Sequence, residues 1–378
     1  LETKKVLFIH SSEIEKYSYP ADCPFNTDRA AQLHKVLSSM GLLAVGGAGE
    51  VGPVAAERVV LEKFHSPRYL RALETAASGR WDVEALGMGI GTLDCPVFAG
   101  MYDYAVLASG GTLTGAELIL SGRAAAAFNP SGGYHHARPE LAAGFCYIND
   151  VALACTVLAE AGKRVLYLDV DVHHGDGVAY AFYNRPDVMT ISLHENPKTL
   201  FPGTGFEEEI GEGPGRGYCV NVPLPVGAFD RAYIETFEAV VAPLISAYNP
   251  DVFVYELGAD ALAGDPLAHL YLTNNVYADI TGRLLDFDRP ILMTGGGGYN
   301  VRNTVRAWAL AWSVLCGQDA GVDMNPALGG VMLQSTEWQG GLRDRELPIP
   351  DNQRKTVERA LRTTVDIIKA RIFPIHGL

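Results

Sequence analysis

No Cys-x-x-Cys pair occurs in this 378-residue chain, and its six cysteines (Cys23, Cys95, Cys146, Cys155, Cys219 and Cys316) are scattered. That scatter argues against a disulfide framework and against a cysteine zinc site, and reduced thiols in the cytoplasm are the simplest reading. Nowhere does the chain sustain the roughly 20 apolar residues that a membrane-spanning helix needs. After Lys4-Lys5 the apolar run Val6-Leu7-Phe8-Ile9 is too short for the core of a signal peptide. Clustered Lys and Arg are missing as well. With 30 basic against 44 acidic residues the net charge is −14, which disfavours a nucleic acid partner. The acidity suits a cationic partner and serves equally to keep a protein soluble. No repeat, low-complexity tract or linker is present, and a 48% hydrophobic composition is ample for one large core. A single domain is therefore expected over residues 1–378, with its core at about 4–320 and a C-terminal helical segment after it. Oligomeric state leaves no mark in the sequence.

What is present is a succession of short apolar segments alternating with helical stretches. Strands are expected at 4–10, 124–128, 164–170, 188–193, 251–256 and 290–294. Helices are expected at 28–40, 66–77, 99–109, 149–161, 230–247, 273–286 and 301–316, where apolar residues recur at three-to-four spacing. Such alternation builds an α/β fold, a parallel sheet flanked by helices. Pro243 is expected to kink or end the helix that contains it. Four of the strands are followed by Gly and a chemically able side chain. These are Asn129 to His136, the acid and imidazole cluster after 164–170, Gly258-Ala259-Asp260, and Gly295 to Tyr299. The carboxyl ends of such strands are where open α/β sheets place their sites.

The densest chemistry lies in Tyr167-Leu168-Asp169-Val170-Asp171-Val172-His173-His174-Gly175-Asp176-Gly177. In an extended segment Asp169, Asp171 and His173 share one face. Buried carboxylates without a cation are forced to protonate, so acids at the tip of a buried strand point to a metal site rather than a solvated loop. Asp171 and His173, joined by Asp260, give the three-ligand pattern of a catalytic zinc site. The same O/N set accepts iron, cobalt or manganese. Asp260 also suits a helix N-cap before Ala261-Leu262-Ala263. His135-His136, with Asp169 and Asp176 as spare acids to hold the rings, offer a general base, although adjacent histidines also arise as surface accidents. Tyr299 follows four glycines and can offer a phenol O–H to a developing oxyanion. No Lys-Ser/Thr follows that run, so it is not a phosphate loop.

His135-His136, Gly144-Phe145-Cys146-Tyr147-Ile148-Asn149-Asp150, the 169–177 cluster, Phe201-Pro202-Gly203-Thr204-Gly205, Asn221-Val222-Pro223-Leu224, Gly258-Ala259-Asp260 and Gly295 to Asn300 follow one another in a familiar order. Over roughly residues 4–320 the chain resembles the zinc-dependent histone deacetylases, above all the class I type and its bacterial acetoin-utilisation relatives. The resemblance implies an arginase-like fold, with a parallel sheet of eight strands between helices. It implies hydrolysis of Nε-acetyl-lysine or another acyl-lysine amide, in a protein or peptide, to lysine and a carboxylate. Zinc would sit on Asp171, His173 and Asp260, with Fe2+ or Co2+ as alternatives. His136 would act as general base and then acid, supported by Asp176. His135, paired with Asp169, would assist electrostatically, and Tyr299 would bind the oxyanion. Phe145 and Phe201 would line the lysine stem, Gly144 would leave room for it, and Asp94 would hydrogen-bond the substrate backbone. Leu267 stands where polyamine-selective relatives carry an acid, which favours acyl-lysine over acetylpolyamine or another small amide.

Potassium is implied too. One K+ would lie at carbonyls near Asp169, Asp171, His173, Ser192 and Leu193, and a second near Phe182, Arg185, Val188 and Tyr218, where Arg185 brings a charge close. Two positions depart from the family pattern: Glu256 stands where many relatives carry an uncharged amide, and Cys23 where bacterial relatives often have His. A binuclear ureohydrolase shares the scaffold but needs another bridging carboxylate, and Leu262, two residues beyond Asp260, offers none. The complete set of ligands, His pair and Tyr argues against a non-catalytic acyl-lysine-binding module.

Overall fold

The computed structural model describes residues 5–80, 82–318 and 342–378. The expected strand start at Lys4 and the expected core end at 319–320 lie outside the described residues. The strands are β1 (Val6–Ile9), β2 (Ala48–Val51), β3 (Ala126–Asn129), β4 (Val165–Asp169), β5 (Val188–Glu195), β6 (Cys219–Leu224), β7 (Val252–Glu256) and β8 (Ile291–Thr294). They form one eight-stranded sheet in the order β2-β1-β3-β8-β7-β4-β5-β6, and every pairing is parallel.

Parallel strands covered on both faces read as near-continuous apolar runs, and β4 shows why. Leu166 and Leu168 pack on one face with Phe8, Phe128, Tyr255, Trp308 and Trp312, under helices Asp28–Ser39, Asn275–Asp286 and Val301–Leu315. Val165 and Tyr167 point to the other face, where Ala116, Val151, Cys155 and Val254 surround them under helices Met101–Leu120 and Asp150–Glu160.

The six expected strands form, and the two that the apolar pattern did not single out are the sheet's edges. β2 is Ala-Gly-Glu-Val with no fully buried residue, so it carries little apolar signal. β6 contains Pro223, which lacks a ladder donor and is tolerated because an edge strand has a side with no partner. The helix expected at 99–109 runs on to Leu120 because its glycines are points of close approach. A Cβ on Gly110 would stand 2.0 Å from the Val54 carbonyl, and one on Gly115 2.5 Å from Leu292. Around Pro243 the expected single helix becomes Asp230–Thr236, a π-helical turn Phe237–Val241, and Ala242–Tyr248 with the proline in its first turn. The missing N–H and the ring's clash with the preceding turn account for the widening.

The strands whose loops carry the chemistry, β3, β8, β7 and β4, are consecutive in the sheet. Parallel orientation puts all four carboxyl ends at one edge, and the register pairs Asn129 with Thr294, Thr294 with Glu256, and Glu256 with Asp169. No helix among the described residues is long and apolar enough to cross a membrane.

Trp308 is fully buried beneath this edge and donates its indole N–H to the Leu257 carbonyl at 2.6 Å. Trp308→Ala is expected to cost about 3–5 kcal/mol in urea unfolding. A loss below about 1 kcal/mol would show that the packing is not as described.

Candidate metal centre

β4 ends at Asp169, earlier than an extended segment through His173 requires. Asp169 Oδ1 accepts the Asp171 N–H at 3.0 Å, and Asp171 Oδ1 accepts the His173 N–H at 2.9 Å. These i to i+2 bonds are Asx turns. The shared direction of Asp171 and His173 therefore comes from successive turns and not from the β pleat. Asp260 caps no helix: its Oδ1 accepts the Val172 N–H at 2.9 Å. His173 Nδ1 then lies 3.2 Å from Asp171 Oδ1 and 3.0 Å from Asp260 Oδ2. The three ligand atoms fall within 4.8 Å of one another, and all three residues are buried.

Two glycines admit the carboxylates. A Cβ on Gly258 would stand 2.0 Å from Asp171 Oδ2, and one on Gly297 2.0 Å from Asp260 Oδ2. Gly297 also donates its N–H to Asp171 Oδ2 at 2.6 Å. Burial and the neighbouring Asp171 push Asp260 up to about 7. Asp171 is equally buried, yet the imidazoles of His135 and His173 hold it well below the usual carboxylate range. His173, against its burial, is raised to about 10 by Asp171 and Asp260. Two buried carboxylates around one imidazole keep a cation or a proton between them. The donor set of two oxygens and one nitrogen, with the glycine cradle, fits zinc, whose binding would displace that proton.

Beside the trio lie two histidine–carboxylate pairs. His135 Nδ1 lies 3.0 Å from Asp169 Oδ2, His136 Nδ1 lies 2.7 Å from Asp176 Oδ1, and the two Nε2 atoms are 3.0 Å apart. With each Nδ1–H directed at a carboxylate, the facing Nε2 atoms have one proton to share. His135 is buried, yet the carboxylates of Glu256 and Asp169 hold it well above the usual histidine range. Burial and the adjacent His135 lower His136 to about 4, so near neutrality His136 is the free base. Arg138 donates through Nε (3.1 Å) and Nη2 (2.7 Å) to Asp176 Oδ2. Although buried, Asp176 is kept ionised by His136 and Arg138.

Aromatic rings stand beside these groups. Gly144 and Phe145 both adopt positive φ, 53° and 65°. A Cβ on Gly144 would meet His136 Cδ2 at 2.4 Å and Phe201 Cε1 at 3.1 Å. The Phe201 ring stands 5.0 Å from His136 and is 47% exposed, while Phe145 lies 5.7 Å from Tyr299. Tyr299 sits 6.4 Å from His173, on a loop where Gly296 and Gly298 take positive φ. Burial, then Asp260 and Asp171, push its phenol up, so it remains an O–H donor. Asp265 Oδ2 accepts the Tyr299 N–H at 2.8 Å and its Oδ1 accepts the Leu267 N–H at 3.0 Å, tying the half-buried Leu267 to the tyrosine loop. Half-buried Asp94 accepts from the Gly144 N–H and the Thr92 hydroxyl, each at 3.1 Å.

The histone deacetylase domain family matches residues 23–315 of this chain. The chain belongs to the histone deacetylase family. It is 40% identical over 292 residues to histone deacetylase 8 of Xenopus tropicalis, covering 77% of this chain and 78% of that one. Identity to the acetoin utilization protein AcuC of Bacillus subtilis is 38% over 328 residues, 85% of this chain and 84% of that one. Among solved structures, a histone deacetylase homolog complexed with SAHA superposes with a TM-score of 0.86 at 31% identity, over 97% of this chain and 100% of the other. A homolog from Aquifex aeolicus gives 0.83 at 32% identity, over 95% and 100%. The protein is thus a zinc-dependent deacetylase with a buried Asp-His-Asp metal-binding group.

In this deacetylase the residues named for potassium lie in two places. Ser192 is the register partner of Asp169, with Leu193 next to it in β5, and the Ser192 hydroxyl pairs with His194 Nδ1 at 2.8 Å. At the second place the Arg185 guanidinium lies 5.2 Å over the Phe182 ring and is paired with Asp187 at 2.6 Å, which offsets its charge. Val188 there is buried and Tyr218 half-buried. Cys23 is half-buried against the aromatic cluster that contains Phe145 and Tyr299. Sequence reasoning missed Arg138, Tyr167 and Asp265. Arg138 is a lone basic residue after His-His-Ala, Tyr167 hides in an apolar strand run, and Asp265 looks like any loop acid.

Gly297→Ala pushes a methyl into Asp260 and is expected to weaken zinc binding about 10–100-fold in a chelator competition titration. Wild-type affinity in that variant would contradict the cradle described here.

Proposed function

We propose that this deacetylase hydrolyses Nε-acetyl-lysine in proteins or peptides, giving lysine and acetate. The observation that carries the reading is the convergence of the ligand trio, both histidine–carboxylate pairs and Tyr299, with the Phe145 ring beside Tyr299 and the Phe201 ring beside His136. Gly144 has no room for a Cβ beside His136, so the passage there suits a thin unbranched stem. Phe145 and Phe201 give such a stem apolar and aromatic contact. Leu267, an apolar residue at the rim, offers no counter-charge to a second amine, which favours a lysyl stem over an acetylpolyamine. Asp94, held at the rim by Gly144 and Thr92, is suited to accept a backbone N–H of the substrate.

When bound by Asp171, His173 and Asp260, zinc supplies Lewis-acid polarisation of a carbonyl and a more acidic water. The chain's own groups do the rest. His136 Nε2 takes a proton from the attacking water as the C–O bond forms. Tyr299 donates its O–H to the carbonyl oxygen as that atom gains charge. His136 then returns the proton to the departing lysine nitrogen as the C–N bond breaks. Asp176, fixed by Arg138, holds the His136 tautomer throughout, and His135 with Asp169 supplies positive charge beside the developing oxyanion. Potassium at Asp169, Asp171, His173, Ser192 and Leu193, and at Phe182, Arg185, Val188 and Tyr218, belongs to the same reading. So does a reducing cytoplasmic setting, which the six free cysteines support.

Tyr299→Phe is expected to keep full zinc content while turnover of an acetyl-lysine peptide falls about 10²–10³-fold. A fully active variant would refute the oxyanion role. In a side-by-side comparison of kcat/KM the peptide is expected to be preferred over acetylputrescine, and strong preference for the polyamine would overturn the choice of substrate.

A further inference from the structure

β4 and β7 are neighbours in register, with Asp169 opposite Glu256 and Tyr167 opposite Val254. Alternation along each strand places Tyr167, Asp169 and Glu256 on the same face of the sheet. Both acids are 0% exposed. Like charges directly opposite one another destabilise a sheet, so the groups that bridge them matter. The Tyr167 hydroxyl lies 2.6 Å from Asp169 Oδ2 and 2.7 Å from Glu256 Oε2. On the other side His135 Nδ1 lies 3.0 Å from Asp169 Oδ2 and 3.1 Å from Glu256 Oε1. The imidazole N–H is aligned with Asp169, and Glu256 Oε1 has no aligned donor of its own. A buried oxygen left so is costly and calls for a reason.

We propose that Glu256 is a positioning residue for His135. Its two oxygens span from the imidazole Nδ1 to the Tyr167 hydroxyl, and Tyr167 in turn reaches Asp169. The resulting ring of contacts fixes the tautomer and tilt of His135 that aim Nε2 at His136. This role rests on the deacetylase reading above, but Glu256 touches neither the substrate nor the reacting atoms. What the position requires is reach. A glutamine there presents its carbonyl oxygen to His135 Nδ1–H and its amide N–H to the Tyr167 hydroxyl, which is then free to donate to Asp169. An aspartate keeps the carboxyl group but stops one methylene short of both partners.

The test compares zinc-loaded Glu256→Ala, Glu256→Gln and Glu256→Asp, with metal content measured throughout. Glu256→Ala and Glu256→Asp are expected to lower kcat on an acetyl-lysine peptide about 10–100-fold with KM within about threefold, and Glu256→Gln to restore kcat to within about threefold of wild type. Proton NMR supplies a readout independent of turnover. The downfield His135 Nδ1–H resonance, assigned by its loss in His135→Ala, is expected to persist in wild type and Glu256→Gln and to broaden in the Ala and Asp variants, with and without zinc. Wild-type kcat in Glu256→Ala, or an active Asp variant beside a crippled Gln variant, would overturn the proposal. Should Glu256→Ala fail to fold, Tyr167→Phe removes only the bridging hydroxyl. It is expected to broaden the same resonance, and an unchanged resonance would overturn the proposal. A wild-type protein inactive on every acyl substrate, yet with this resonance pattern intact, would sink the deacetylase reading and support the role of Glu256.

Discussion

Like charges buried together repel, and Asp169, Asp171, Asp176, Glu256 and Asp260 are all buried at the carboxyl end of the central strands. Transferring five carboxylates out of water is prohibitive unless each one faces a proton, a cation or a donor. Asp176 has His136 and Arg138, Asp169 has His135 and Tyr167, and Asp171 and Asp260 close on His173. Around His173 the carboxylates outnumber the imidazole, and that excess of buried negative charge is what suits the place to a divalent ion. Folding, metal binding and the protonation states of the histidine pair are one problem.

The sheet makes such crowding workable because the loops at the carboxyl ends of its strands are anchored by hydrogen bonds. Main-chain N–H groups of Asp171, Val172, His173 and Gly297 all donate to carboxylates of the site. Those bonds fix the directions of the ligand side chains, and fixed groups need little reorganisation at the moment of reaction. Glycine serves the same end by absence. At Gly258, Gly297 and Gly144 any side chain would occupy the space of a carboxylate, an imidazole or the passage beside Phe201.

Much of this was legible along the chain, and the failures share a cause. The central strands announced themselves because burial on both faces demands apolar runs. The edges β2 and β6 did not, since Ala-Gly-Glu-Val and a proline-bearing segment lack that signature. Asp171, His173 and Asp260 do converge, but by another local route than the one expected: Asx turns, and not strand alternation, bring Asp171 and His173 together. Tyr167 read as core because its ring is core, and only its hydroxyl belongs to the site. Arg138 carried no signal, because a lone arginine acquires meaning only from the acid it faces.

By itself the sequence determined the alternation of elements, the strand ends at which chemistry gathers and the set of able side chains. These follow from local rules, hydrophobic period and turn chemistry, that act over a few residues. The pairs His135 with Asp169 and His136 with Asp176 were implied by the resemblance, whereas the folded structure alone showed that Glu256 joins the first pair and Arg138 the second. Those pairings depend on parallel register between strands, as between Asp169 and Glu256, and on contacts such as Gly297 to Asp171 across 126 residues. Electrostatic and hydrogen-bond energies change over ångströms in space, a distance that spacing along a chain does not encode.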